Sequence, residues 1–140
     1  YSPDHVAELV HRLFDKRVAF HDGDGEIAPG ITVHAMPGHT KGMQAVRVRT
    51  PRGFVLLASD ASHYYEHWVK RVPFAICWSR GQLVESYERF ETLADSEDHV
   101  VPGHDPLVRS VYPPSFDRLG DDVVRLDAPP RRGVREMFGG

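Results

Sequence analysis

Along the first fifteen residues the apolar positions recur at helical spacing. Val6, Leu9, Val10, Leu13 and Phe14 form one stripe, the i, i+3, i+4, i+7 pattern of an amphipathic helix. Ser2-Pro3-Asp4 marks its start, because proline is tolerated in a first turn where its missing N–H would be unpaired anyway. Asp4 and Glu8 near the start and Lys16 and Arg17 at the end suit the helix dipole. His5 and His11 fall on the polar face and read as solvated. Val18–Phe20 is predicted as a short strand. His21–Glu26 is rich in glycine and aspartate. It fits a hairpin turn better than a calcium loop, since the full ligand set and the closing glutamate are missing. Ile27–Met36 reads as one strand, with Ile31, Val33 and Ala35 alternating. Gln44–Thr50 alternates as well. Phe54–Ala58 is a continuous apolar run, as in a strand covered on both faces, and Pro51-Arg52-Gly53 should join the two as an antiparallel hairpin. Leu83, Val84, Tyr87, Phe90 and Ala94 predict a helix over Gly81–Ala94. His99-Val100-Val101 reads as a short strand stopped by Pro102-Gly103. From Pro113 onward prolines and glycines predict irregular chain, with one extended piece at Val123–Leu126.

Composition narrows the class. A chain of 140 residues with 41% apolar and 10% aromatic residues can bury one core and need not be disordered. Its net charge of −3 argues against nucleic acid as a partner. Phe54–Ala58 is the longest apolar run, far too short to span a bilayer, so no membrane partner is expected. The single cysteine, Cys77, excludes an internal disulfide and reads as a small packed residue. The chain opens on Tyr1 with no signal-type segment, which suggests a processed chain or a fragment, and the expected location is cytoplasmic. Arg131, Arg132 and Arg135 read as a solvated basic tail.

Nine histidines direct attention to metal chemistry, since imidazole is the commonest protein metal ligand. Three polar signatures begin where predicted strands stop: Pro37-Gly38-His39-Thr40, Asp60, and Pro102-Gly103-His104-Asp105-Pro106. Strand ends on glycine-bearing loops are where rigid scaffolds display functional groups. Two imidazoles and a carboxylate can supply zinc with nitrogen and oxygen ligands, and a carboxylate has two oxygens with which to bridge two ions. From spacing alone, His39 and His104 are also open to reading as loop residues bonded to nearby backbone.

Pro37–Gly42, Leu56–Ala61 and Val100–Pro106, in that order, resemble the second half of the metallo-β-lactamase superfamily, and most of all its N-acyl homoserine lactonase branch. The resemblance runs from about Glu26 to Tyr112, and Asp60–Tyr65 with Val72-Pro73-Phe74 tilts it toward the lactonases. It implies an α/β fold: the C-terminal half of an αββα sandwich, with a mostly antiparallel sheet and flanking helices. Residues 1–112 would be the C-terminal portion of a metallohydrolase domain. Residues 113–140 would be an extension packing on it or trailing from it. It further implies that His39 ligates the first zinc, that Asp60 bridges and that His104 ends the second zinc's ligand set. In the family a hydroxide between the metals attacks a lactone carbonyl. The implied catalytic residues are Asp60 and His63, and the implied substrate-side residues are His63 and Tyr64.

The departures from the family pattern carry expectations too. The H-x-H-x-D-H motif of the family's first half is absent from this sequence, so each zinc lacks two ligands, and this chain alone should bind zinc weakly or partially. Serine replaces the usual glycine before the bridging aspartate, at Ser59. His63 stands three residues after that aspartate, where lactonases often have a substrate-binding tyrosine. Tyr64 and Tyr65 either serve substrate or pack a loop. Asp105 caps the turn that follows it in preference to orienting His104. His99 reads as a surface residue at a strand start. Trp68 either lines an acyl-chain pocket or packs in the core. A half-sandwich should leave one sheet face bare, so homo-oligomerisation or association with the missing half is expected. The expected activity is opening of a cyclic ester, with N-acyl homoserine lactone favoured and another ester or thioester as the rival. A non-catalytic interaction or binding domain that keeps half of an ancestral metal site is the reading from a different class.

Overall fold

The computed structural model describes residues 2–115 and 122–139. The sequence expectations that reach Tyr1, residues 116–121 and Gly140 fall outside the described residues. Helix α1 spans Pro3–Phe14, with Pro3 in its first turn and Asp4 near its positive end. Strands β1 (Gly25–Ala28), β2 (Ile31–Ala35), β3 (Gln44–Thr50), β4 (Gly53–Ser59) and β5 (Val100–Pro102) lie side by side in chain order in one sheet. The first three pairings are antiparallel and β4–β5 is parallel. A parallel partner requires a crossover, which is the stretch carrying α2 (Tyr65–Val69) and α3 (Arg80–Leu93). Helices α4 (Leu107–Val111) and α5 (Val134–Phe138) follow β5.

Alternation along β4 divides its side chains between two apolar clusters. Leu56 and Ala58 join Met36, Ala45 and Val100 beneath Tyr65 and Trp68 of α2, Leu83, Tyr87 and Phe90 of α3, and Val134 of α5. Val55 faces the other way, with Val101, Val111 and Tyr112, and is flanked by Val124 and Leu126. The continuous apolar run of β4 is thus explained by cover on both faces. Trp68 belongs to the first cluster and is 4% exposed.

Four expectations are corrected. Val18–Phe20 is not a strand, because no partner strand pairs with it in the described sheet and Phe20 stays exposed. His21–Glu26 is therefore not a hairpin turn. It is instead pinned by Asp24, whose carboxylate accepts from the Ala35 N–H and from Arg89 and contacts His34. Ile27–Met36 is split into β1 and β2 by Pro29-Gly30, where Gly30 has φ +77° and the chain reverses. The sheet is not bare along β4 and β5, since α4 and residues 124–126 cover the face opposite α2 and α3. The large exposed apolar stripe lies on α1, which buries none of its residues.

Candidate metal centre

Three loops at one end of the sheet carry the candidate ligands, and backbone hydrogen bonds lace them together. The Gly103 N–H donates to the Ser62 carbonyl and the His104 N–H to the His63 carbonyl. This fixes the loop after β5 against the loop after β4. On the other side, the Trp78 N–H donates to the His39 carbonyl and the Ser79 N–H to the Gly38 carbonyl, while the Ser86 hydroxyl donates to the Pro37 carbonyl. Helix α3 thereby anchors the loop after β2. Gly38 has φ +142°, and a Cβ there would lie 2.6 Å from the Leu83 Cα, so only glycine lets this loop sit on α3.

Asp60 stands at the centre of the convergence. Its Oδ1 lies 2.5 Å from His104 Nε2 and 3.9 Å from His63 Nε2, and its Oδ2 lies 3.9 Å from His39 Nε2. The two carboxylate oxygens thus serve different imidazoles, the arrangement a bridging carboxylate needs. His39 Nδ1 is 2.8 Å from the Ile76 carbonyl. A carbonyl only accepts, so this nitrogen carries the proton, and in the neutral ring the lone pair is on Nε2, facing Asp60. Such a hydrogen bond on the far nitrogen orients metal-ligating histidines generally. His104 Nε2 and Asp60 Oδ1 are hydrogen-bond partners, so the same two atoms could hold a cation between them.

His63 is held between rings. It stacks on Phe74 with centroids 3.8 Å apart and planes 17° from parallel, and meets His104 edge-on at 4.8 Å. Burial, and after it the positive charge of a protonated His104, hold the His63 pKa below its ordinary value of 6.5. Its ring is therefore neutral at neutral pH. Tyr64, ahead of α2, is partly exposed and lays its ring against His63 and His67. Tyr65 is buried in the core, so it packs rather than faces solvent.

Asp105 is a cap: its Oδ1 accepts from the Leu107 N–H and its Oδ2 from the Tyr65 N–H. His99 bonds Ser96 Oγ and the Arg52 carbonyl and is structural. Cys77 packs against the first cluster. Three contributors escaped the sequence reading. The Ile76 carbonyl acts through main chain and leaves no sequence signal. Phe74 served only as a family marker. His67, on α2, sets its ring 6.1 Å from that of His63. Its pKa too is lowered by burial, and its Nδ1 has no partner among the described residues.

Imidazoles and a carboxylate are ligands that zinc accepts. Asp60, His63 and His104 bring one donor atom each to within 4.8 Å of one another, and His39 adds a fourth side chain on the other oxygen. The first three suit one ion with an open position, and all four together fall short of three protein ligands for each of two ions.

No family model matches the chain. Curated relatives do. An N-acyl homoserine lactonase of Bacillus sp is 36% identical over 106 residues, which cover 75% of this chain and 42% of that protein. The N-acyl homoserine lactonase AttM of Azorhizobium caulinodans is 36% identical over 86 residues, 60% of this chain and 31% of that protein. Among solved structures, an N-acyl homoserine lactone hydrolase with the product N-hexanoyl-L-homoserine bound at its catalytic metal center is 31% identical. It aligns with a TM-score of 0.59 over 66% of this chain and 37% of that one. A probable metal-dependent hydrolase from Staphylococcus aureus is similar in fold alone, at 14% identity and a TM-score of 0.57 over 86% of this chain and 40% of that one. The chain spans less than half the length of these relatives. Its relatives in sequence and its neighbours in fold thus include N-acyl homoserine lactonases of the metallo-β-lactamase fold, and it matches part of their length.

Proposed function

We propose that this chain is the C-terminal half of a zinc-dependent lactonase that opens a cyclic ester, with N-acyl homoserine lactone as the favoured substrate. The observation that carries the reading is Asp60, whose two oxygens face imidazoles from separate loops. His39 would hold one zinc and His104 the other, with Asp60 between them. Zinc, when bound, supplies a nucleophile from water at neutral pH and polarises the ester carbonyl. The chain's own residues do the rest. Ile76 holds the His39 tautomer. Phe74 fixes the plane of His63, whose Nε2 faces Asp60 and whose other ring nitrogen is left to donate to a substrate carbonyl. Tyr64 borders the same side and is exposed enough to touch substrate. The relative solved with a homoserine product at its metal center supports this choice of substrate class.

The test uses the gene product that contains this chain. Ring opening liberates one acid equivalent per lactone, which a pH indicator follows, and zinc is counted by elemental analysis. Asp60→Ala should remove both metal and at least about 99% of the rate, because a ligand and a bridge are lost together. His39→Ala and His104→Ala should each lower zinc content. Full metal content in all three variants, or full activity in Asp60→Ala, overturns the reading.

A further inference from the structure

The sequence pattern assigns the chain one imidazole for each metal, yet the fold brings two imidazoles to the same oxygen of Asp60. His63 Nε2 and His104 Nε2 both face Oδ1, at 3.9 and 2.5 Å, whereas His39 alone faces Oδ2. We infer that Asp60, His63 and His104 form a self-contained, three-ligand site for a single divalent cation of zinc type, complete within this chain, with His63 as a ligand. The inference rests on the metal centre of the proposed function and adds His63 to its donors.

The geometry supports it at three points. The three donor atoms already lie within 4.8 Å of one another, and a tetrahedral zinc with bonds near 2.0–2.2 Å needs them about 3.4 Å apart. The changes in donor spacing this requires are on the order of an ångström. His63 is pre-oriented, since the Phe74 stack and the edge contact with His104 hold its ring, and the His104 N–H bond to its carbonyl holds its main chain. The His104 side chain is 58% exposed, which leaves a solvent-side path and room for a fourth, exchangeable ligand. Three protein ligands and one open position is the usual complement of a catalytic zinc. At position 63 the departure from the family pattern thus supplies the imidazole that completes the set.

The test is metal binding by the 140-residue chain. Zinc affinity is measured by competition with a chromophoric chelator, and coordination by the visible absorption of the cobalt(II) form, which is strong for four-coordinate and weak for six-coordinate cobalt. The chain should take up one equivalent and give the strong band. His63→Phe keeps a ring for the Phe74 stack. It should weaken zinc binding at least 10-fold and flatten the cobalt band, as should His104→Phe and Asp60→Asn. His63→Tyr is the second variant, with the same expectation, and thermal melting of each confirms that it folds. If His63→Phe and His63→Tyr keep zinc affinity within about 3-fold while His104→Phe and Asp60→Asn lose it, His63 is no ligand and the inference falls, with the metal centre of the proposed function intact. If the unaltered chain binds no zinc while the full gene product does, the self-contained site is overturned and the proposed function still stands.

Discussion

Ser59 has φ +49°, in the left-handed region where a side chain is disfavoured by roughly 1–2 kcal/mol. This gives a physical reason for the family's glycine at that position: the chain turns sharply to lift Asp60 off the end of β4. Its neighbour Gly103 has no such latitude, because a Cβ there would fall 2.5 Å from the Ser59 carbonyl oxygen. Ser59→Gly should therefore raise the melting temperature by a few degrees, about 0.5–1 kcal/mol. Gly103→Ala should lower it by about 10 °C, as overpacking against backbone costs about 2–3 kcal/mol. Differential scanning calorimetry of both variants checks the pair. Asp24 offers a pH test. Burial raises its carboxyl, but hydrogen bonds from His34, the Ala35 N–H and Arg89 outweigh burial and bring it down from 3.8 to about 2. Because the folded-state value is the lower one, the stabilisation is complete above the unfolded value and disappears as pH falls from about 4 to 2. Asp24→Asn should melt several degrees below the native chain at pH 7, and the two curves should converge near pH 2.

Among the elements, α1 is the exception. Its stripe is well patterned, yet Val6, Leu9, Val10, Leu13 and Phe14 are all exposed, Phe14 at 83%. A helix of this length is marginal in water without tertiary cover, so its apolar face should seek a partner at high concentration. Leu9→Lys with Leu13→Lys should leave the thermal midpoint within about 0.5 kcal/mol of the native chain and reduce self-association measured by light scattering. A fall in the midpoint by several degrees would mean that the stripe is already packed in solution. Elsewhere, element identity was legible where the local pattern repeated. The β3–β4 hairpin joins alternation to a Pro-Arg-Gly turn; α3 was legible from periodicity alone, and its Ser79 cap, whose hydroxyl accepts from the Gln82 N–H, is seen only in the fold. Helices α2, α4 and α5 were not legible. Each is five residues long, too short to repeat a 3.6-residue pattern, and each forms because it covers the core.

Over the whole molecule, the sheet works as a frame whose one end gathers chemistry from three distant stretches. The parallel β4–β5 pairing is the decisive contact, since it sets Leu57 beside Val101 and so brings Asp60 and His104 to the same rim. By itself the sequence determined the strand-end positions of His39, Asp60 and His104, their family pattern and the missing companion motif, because these follow from residue type and local spacing. Only the tertiary structure decided that both carboxylate oxygens of Asp60 face imidazoles, that Ile76 fixes the tautomer of His39, and that His63 shares an oxygen with His104. Those facts depend on distances between loops far apart in the chain, which local spacing does not encode.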